Sequence, residues 1–361
     1  LLKPDLLAPG TDIVSARPCS EEVASANCSD YTKNLYKIDK GTSMSAPNVA
    51  GSAALIHQYF REGKWVPNSK TSKNLKDLHM YDLDSSTIRA LLINSCKHPL
   101  GSKTPDITYG HGVIDLSTII PIKNDFGVQL SGQKKYSSKN SDENDERPSV
   151  NIHDHVVAKL EVKNKNTKLQ ITLSYLDRVI NKDSPIPLAH DLDLVVESPS
   201  KKLFLGDHLQ NGDTQHASTN EKIIINEDEL EVGEYKIHVY AGDFVGGKLI
   251  NKKHFSVVAT GPIINDFLSF EKQSDCPCDK CDQDNSGYCL CDSDKEVGPI
   301  CQGKIETING DKASVTVGPL EVKRLKFISN NNITYINSKS ANPGRGVTIW
   351  SDKTCHLSIG E

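Results

Sequence analysis

The sequence lacks several features that would each place it in a particular class of protein. It contains no run of about 18 apolar residues, so we predict no membrane-spanning helix. Its net charge of -5 argues against a general nucleic-acid-binding protein, which would carry an excess of Lys and Arg. It opens with Leu1 and Leu2 instead of Met and shows no signal peptide, so we expect a fragment or a processed product.

The composition is that of an ordinary globular protein, with 37% hydrophobic and 25% charged residues in a chain of 361. This length predicts two or three domains. Six of the ten cysteines lie within residues 276–301, which predicts a disulfide framework and therefore an oxidising compartment. The spacing of Cys278 and Cys281 is also that of zinc ligands, so a zinc site is the alternative.

Three further cysteines lie nearer the N-terminus. Cys19 and Cys28 bracket a polar loop, where they pair either with each other or with partners elsewhere. A helix is predicted to begin at Asp84 or Ser85, either of which is a good N-cap. Cys96 ends this predicted helix, and we interpret it as a small buried apolar residue.

The most helix-like run of the N-terminal third is residues 44–60, with Pro47 in its first turn, where a missing N–H costs little. Because the run is rich in Ser, Ala and Gly, neighbours can approach it closely, and we expect a buried helix. Ser43 stands at its start. A serine there is usually a cap, but it can also be a nucleophile, since nearby amides stabilise developing negative charge.

From about residue 123 the pattern changes to short β-strands separated by turns rich in Gly, Asn and Asp. Strand spacing of this kind indicates a sandwich or jelly roll. The predicted strands are 156–162, 169–175, 192–197, 222–226, 234–240 and 254–259. The acidic stretch 137–148 is poor in apolar residues and is predicted to be a solvated loop.

One of these strands carries candidate metal ligands. Asp191 and Asp193 alternate with Leu192 and Leu194, so both carboxylates should face one side of the strand. Together with Asp213 they are candidate calcium ligands. The alternative, which we favour, is a half-buried strand with a solvated polar face.

The sequence at 41–51, Gly-Thr-Ser-Met-Ser-Ala-Pro-Asn-Val-Ala-Gly, resembles the serine signature of the subtilisin-like proteases. The resemblance implies that Ser43 is the catalytic nucleophile. Three more segments resemble that family in the family's order: residues 3–10 before the serine, 84–94 as the following helix, and 109–116 as the end of the protease domain.

Two residues depart from the family pattern, and part of the catalytic machinery is not found. Lys40 stands where a small or amide residue is usual and bears on substrate preference, and Asn48 stands where histidine is common. The family order is Asp, His, Ser, yet residues 1–42 contain no histidine. The resemblance therefore implies that the triad Asp and His lie upstream, and that this chain alone is inactive and exposes the helix that upstream strands would cover. His57, on the helix itself, is too far along it to reach Ser43.

Two later regions carry looser resemblances. Residues 122–262 look like the β-rich domain that follows the protease in some subtilases, including a Leu-Asp-Leu strand and a Gly-x-Tyr strand. The last cysteines before residue 304 resemble the end of an epidermal-growth-factor-like module.

We therefore predict a multidomain chain. Its parts are the C-terminal part of an α/β subtilisin-like domain with a parallel sheet (1–121), an all-β jelly-roll-like sandwich (122–265), a cysteine-rich module (270–304) and a β-rich segment (305–361). The predicted function is that of an extracellular serine endopeptidase that cleaves polypeptides through an acyl-enzyme. It needs no cofactor for the chemistry. The alternative is a non-catalytic extracellular adhesion or binding protein on a protease-derived scaffold, including one that binds a partner through the cysteine-rich part.

Overall fold

The structure, a computed structural model, describes ten segments with their side chains and five further strands by their backbone. The ten segments are residues 3–16, 36–68, 81–102, 105–120, 126–133, 147–151, 154–178, 188–206, 218–241 and 252–273. The predictions for Cys19, Cys28, Asp213, the cysteines of 276–301 and most of the acidic stretch fall outside these residues.

The N-terminal part contains two helices and one hairpin. Helix α1 spans Thr42–Arg61 and α2 spans Ser85–Ser95, as the sequence predicted. Strands β1 (Ile13–Ala16) and β2 (Tyr36–Asp39) pair antiparallel, and a short 3-10 helix covers Leu116–Thr118. No helix among the described residues is long and apolar enough to cross a bilayer.

The prediction that α1 is buried is wrong for this chain. Only Ile56 and Phe60 of its residues are buried, and both lie near its C-terminal end. The first fourteen residues, 42–55, are exposed or half-buried, because none of the described segments covers them on all sides. The described residues thus leave this helix exposed, as expected of the chain by itself, whereas the upstream strands that would cover it stay a prediction.

Three segments that resemble subtilase motifs or adjoin one lie side by side. The amide of Leu7 donates to Gly112 O at 2.8 Å, and the amide of Ile114 donates to Leu7 O at 3.0 Å. The amide of Lys97 donates to Val113 O at 2.9 Å. Within the described residues 3–120, the parallel pairing that was predicted is limited to the bridge between Leu7 and Val113.

Two five-stranded sheets follow. The first has the order β13-β3-β12-β6-β9, and the second has the order β14-β5-β10-β7-β8, with the short pair β4 and β11 beside them. The strands are β3 Gly127–Ser131, β4 Ser149–Asn151, β5 His155–Val162, β6 Leu169–Ser174, β7 Leu192–Glu197, β8 Leu203–Leu205, β9 Asn220–Ile225, β10 Gly233–Ala241, β11 Lys252–His254, β12 Ser256–Gly261, β13 Asp266–Leu268 and β14 Glu271–Lys272. The predicted strands are thus present, apart from the one at 254–259, which is broken at Phe255.

The two sheets share one hydrophobic core. Alternate side chains of both sheets are buried there, among them Ile171 and Leu173 of β6 and Leu194 and Val196 of β7. Burial of so much apolar area is the main stabilising contribution to this part of the chain. The finer description of residues 122–265 as a jelly-roll-like sandwich stays a prediction.

Helix α2 lies on the outer face of the first sheet, so this sheet is covered on both sides. A second apolar cluster joins α1 and α2 to that face through Ile56, Leu91, Val128 and Val258. All six residues of β6 are therefore buried, including the polar ones that alternate with its core residues.

The C-terminal part contains a third five-stranded sheet with the order β15-β16-β17-β19-β18. Its strands are β15 Glu296–Val297, β16 Gly303–Asn309, β17 Val322–Ile328, β18 Thr348–Ser351 and β19 Leu357–Gly360. Strands β16 and β17 are parallel, and the other pairs are antiparallel.

Candidate active site

Ser43 lies in the first turn of α1 and is exposed. The residue before the helix is Gly41, whose φ of 143° lies in a region that side chains rarely adopt. Its carbonyl accepts from the amide of Met44 at 3.0 Å, while its own amide donates to Gly10 O at 2.8 Å. The glycine therefore lets the chain turn sharply into the helix and leaves the Ser43 side chain accessible at the turn.

The start of α1 is fastened to the segment before the hairpin. The side chain of Asn48 donates from Nδ2 to Pro9 O at 2.8 Å and to Met44 O at 3.1 Å. A Cβ at Gly10 would overlap Ser45 Oγ, so only glycine permits this close approach. Asn48, one of the two departures from the family pattern, thus ties two of the resembling segments together.

The histidines of the described residues have partners away from Ser43. His57 Nε2 lies 3.4 Å from Asp82 Oδ1, and His57 stands fourteen positions after Ser43 on the helix, a rise of about 21 Å. His98 Nε2 lies 2.9 Å from Asp106 Oδ2. Among the described residues, no histidine or carboxylate forms a hydrogen bond with Ser43, so this part of the chain supplies the candidate nucleophile without a general base.

His111 belongs to the segment that resembles the end of the protease domain, and it is buried. Burial and the nearby Lys222 lower the pKa of His111 to about 3, which keeps the ring neutral at physiological pH. Its backbone amide donates to Asp5 O at 2.9 Å, so this residue helps to hold residues 3–10 in place.

Helix α2 is capped at both ends by side chains. Asp84 accepts from the amide of Thr87 at 2.7 Å, as predicted for an N-cap. At the other end, Lys222 Nζ from β9 donates to the carbonyls of Ile93, Asn94 and Cys96 at 2.9, 3.0 and 3.0 Å. An ammonium group there also complements the negative end of the helix dipole.

Cys96 is buried and unpaired by disulfide, as the sequence predicted. Burial raises the pKa of the Cys96 thiol to about 11, so it stays protonated. It is therefore inert as a nucleophile and serves as an apolar residue at the end of α2.

A buried Asp–His pair lies where sequence reasoning did not look. Asp177 Oδ1 accepts from His190 Nδ1 at 2.6 Å, and Asp177 Oδ2 accepts from the amide of Ala189 at 2.7 Å. The pKa of Asp177 is lowered, because these hydrogen bonds outweigh the opposing effect of burial. The two residues are 13 positions apart in sequence and belong to no periodic pattern, so nothing in the sequence signalled the contact.

Of the candidate calcium ligands, Asp191 is half-buried just before β7 and Asp193 is buried within it, while Asp213 is outside the described residues. Leu192 and Leu194 face the core as predicted. The expected solvated face is wrong for Asp193, which is 2% exposed. No group of three potential metal ligands is found among the residues that the structure describes, and the calcium site stays a prediction.

Ser43 lies within a part of the chain that is similar to a known protein family. Residues 1–112 match the model of the Subtilase family. The match contains Ser43, both helices and the segment at 109–112. The match covers the N-terminal part of a chain whose remaining described residues are mostly β-sheet.

The chain is also similar to individual proteins. Over 313 residues the chain is 24% identical to the "Serine protease/ABC transporter B family protein tagA" of Dictyostelium discoideum, a match that covers 82% of this chain and 16% of that protein. It is 44% identical over 69 residues to the "Subtilisin-like protease SBT1.9" of Arabidopsis thaliana, covering 19% of this chain and 9% of that protein. For the "Subtilisin-like protease SBT1.3" of the same plant, the identity is 39% over 82 residues, covering 23% and 10%.

The chain thus spans less than a fifth of the length of these relatives. At a coarse level the subtilase match and the subtilisin-like relatives indicate a serine peptidase.

Proposed function

We propose that this chain is the part of a subtilisin-like serine endopeptidase that carries the nucleophile, and that Ser43 forms the acyl-enzyme. The observation that carries the proposal is the accessible serine at the first turn of α1, within the residues that match the Subtilase family. Amides at a helix start stabilise an oxyanion that develops beside them.

The general base and its orienting carboxylate come from outside this chain in our proposal. A serine hydroxyl needs a base to accept its proton during attack. The triad logic requires that base within hydrogen-bond reach of the serine. The exposed face of α1 provides the surface on which a segment carrying the Asp and His would pack. Lys40, beside that face and exposed, then bears on substrate preference.

The test compares three proteins: the 361-residue chain, a longer polypeptide that adds the coding sequence upstream of residue 1, and the longer polypeptide with Ser43→Ala. Each is treated with a fluorophosphonate probe, and the labelled residue is mapped by mass spectrometry. We expect the longer polypeptide to be labelled at Ser43 and to degrade an unstructured protein substrate. Ser43→Ala is expected to lower turnover by several orders of magnitude.

Ser45→Ala is the matched control, because Ser45 lies on the same turn of α1 and packs against Gly10. It should keep both labelling and turnover within a few fold. Labelling of the longer polypeptide that survives Ser43→Ala would refute the assignment of the nucleophile. Serine-dependent turnover by the 361-residue chain alone would refute the external base.

The proposal also covers the substrates, the domain boundaries and the disulfides. We propose extracellular polypeptide substrates, domain boundaries near residues 121, 265 and 304, and three disulfides among the cysteines of 276–301. The mass of the protein before and after reduction tests the disulfides, and stoichiometric zinc would contradict them. The non-catalytic binding protein is the alternative, and it predicts an unlabelled longer polypeptide.

A further inference from the structure

A pocket of about 240 Å³ lies away from Ser43, where the start of α2 meets the ends of the β-strands. It is lined by residues from five places in the chain: the N-cap Asp84 with Ser85 and Ser86 of α2, Arg147 before β4, Leu176 and Arg178 after β6, His190 before β7, and Lys252, Lys253 and His254 of β11. Neither the proposed peptidase chemistry nor the core uses this pocket.

The lining is strongly cationic. Four side chains that carry a positive charge, Arg147, Arg178, Lys252 and Lys253, face a single lining carboxylate, Asp84. The chain as a whole has a net charge of -5, so the positive charge of this lining is opposite in sign to that of the chain. Like charges gathered in a concave site repel one another and raise the local concentration of anions.

The nearby carboxylates are already engaged by other donors. Asp84 Oδ1 accepts from the amide of Thr87 at 2.7 Å and from Ser86 Oγ at 2.8 Å, and Asp84 Oδ2 lies 3.6 Å from Arg147. Asp177, behind the pocket, accepts from His190 Nδ1 at 2.6 Å and lies 3.8 Å from Lys253 Nζ. Counted together with Asp177, two carboxylates face four cations, so the described residues of this site keep a net positive charge.

The cations are also partly removed from water. Only 13% of the Lys253 side chain and 28% of the Arg147 side chain is exposed. Burial lowers the pKa of Lys253, which is the direction expected for an ammonium that has lost hydration. Lys253 Nζ already donates to Leu176 O, and a bound anion adds charge-assisted hydrogen bonds, which are strong where water is partly excluded.

The neutral groups of the pocket suit the same kind of ligand. Ser85 brings a hydroxyl group from the first turn of α2, whose dipole also favours negative charge, while the hydroxyl of Ser86 already donates to Asp84. Arginine forks pair bidentately with phosphate as they do with carboxylate, and the further donors of the two lysines and Ser85 suit a group that has more than two oxygens.

We propose that this pocket binds a tetrahedral oxyanion, as free phosphate or sulfate or as the phosphate or sulfate ester of a larger molecule. The site is distinct from the proposed nucleophile, since it lies at the start of α2 and uses none of the residues around Ser43.

The test titrates the full 361-residue chain with inorganic phosphate by calorimetry, against sodium chloride at equal ionic strength. A parallel lysine-acetylation footprint reports where the anion binds. We expect phosphate to bind, and to slow acetylation of Lys252 and Lys253 but not of Lys159. Arg147→Gln and Lys252→Gln should each weaken phosphate binding about tenfold.

Lys159→Gln and Lys163→Gln are the matched controls, because both lysines are exposed and lie on or after β5, outside the pocket. They should leave phosphate binding unchanged. Circular dichroism checks that each variant is folded, and the exposed Lys252 keeps the test valid if Arg147→Gln unfolds. Equal weakening by the control variants, or heats that match those of chloride, would overturn the proposal.

A second titration distinguishes a free anion from the phosphate or sulfate ester of a larger molecule. Glycerol phosphate carries the same oxyanion on a small organic group. Tighter binding of the ester than of inorganic phosphate supports a larger ligand, whereas weaker binding supports the free ion. Failure of either arm leaves the assignment of Ser43 unaffected, because the fluorophosphonate test does not involve this pocket.

Discussion

The two helices of the N-terminal part differ in how the chain supports them. Eight of the eleven residues of α2 are buried, whereas only two of the twenty in α1 are, so the chain determines the surroundings of α2 and leaves most of α1 open. Helix α2 lies against the first sheet and is capped by Asp84 and Lys222, while Ser43 stands on the open helix. The candidate nucleophile therefore lies on a helix that the described residues leave largely exposed, so its chemistry depends on what packs there.

The largest expected effect comes from shortening one leucine on each helix. Leu91 of α2 is fully buried, and Leu91→Ala should lower the free energy of unfolding by about 3 to 4 kcal/mol, the cost of lost burial and a cavity. Leu55 of α1 is 54% exposed, and Leu55→Ala should change it by less than about 0.5 kcal/mol. Urea unfolding followed by circular dichroism measures both. Equal losses in the two variants would contradict the difference between the helices.

Removing the cap at the end of α2 is the next largest effect. Lys222→Met leaves three carbonyls without their ammonium partner and should lower the free energy of unfolding by about 2 to 3 kcal/mol. Lys163→Met is the control, because Lys163 is exposed and forms only a long ion pair with Glu161 at 3.9 Å. A Lys222→Met protein as stable as the control would show that the cap contributes nothing.

The sheets should also be sensitive to acid through two buried histidines. His155 Nε2 and His238 Nδ1 share a hydrogen bond of 2.8 Å, and the His155 ring stacks on Tyr240. Burial lowers the pKa of His155 to about 3 and that of His238 to about 4. The other charged groups on this face are Glu197, with an oxygen 3.8 Å from His238 Nε2, and Lys236.

Because the folded pKa values lie below the unfolded value of about 6.5, the folded state favours the neutral rings. Their contribution to stability is complete above that value and is lost as the pH falls towards the folded values. When the pH falls from 7 to 5, we expect each histidine to lower the free energy of unfolding by about 1 to 2 kcal/mol.

His155→Phe should therefore reduce the loss of stability between pH 7 and pH 5 by about that amount. Leu91→Ala, which removes no titratable group, should leave the loss unchanged. Chemical unfolding at the two pH values measures it, and an unaltered loss in His155→Phe would contradict the assignment.

The smallest effect concerns the fastening of α1. Asn48→Ala removes the hydrogen bonds to Pro9 O and Met44 O and should weaken the local structure by about 1 kcal/mol. The amide of Gly41, which donates to Gly10 O, should then exchange with solvent about fivefold faster. Ser52→Ala is the control, since Ser52 Oγ bonds only to Asn48 O one turn away and joins no separate segments. Equal exchange in both variants would show that Asn48 does not hold the two segments together.

Much of the local structure was predictable because it depends on local patterns. The N-cap at Asp84 and the strand Leu192–Glu197 follow from capping chemistry and from alternation, and both are present as predicted. Strand β3 was missed because Gly127–Ser131 is short and buried on both faces, so it shows no alternation. The break at Phe255 was missed because β11 pairs with β4 and β12 pairs with β3, and both partners are distant in sequence.

The predictions that were wrong concern properties that depend on the surroundings of a residue. Small side chains along α1 show how closely a neighbour can approach, and they do not show that a neighbour is present. Polar residues of β6 alternate with apolar ones, a pattern typical of a strand with one face in water, yet they face α2, where Asn94 Nδ2 lies 3.2 Å from Thr172 Oγ1. The candidate nucleophile was predictable from its motif, whereas the cationic pocket was not, because its residues come together only in the folded chain.

The contact between Lys222 and α2 has a consequence for biosynthesis. The lysine follows Asn94 by 128 residues, so a ribosome adding about 5 to 20 residues per second completes α2 on the order of ten seconds before its cap exists. During that interval the last carbonyls of the helix and the apolar face around Leu91 have no sheet to pack against. Transiently exposed apolar surface of this kind is prone to aggregation, and a ribosome that pauses before β9 would prolong the exposure.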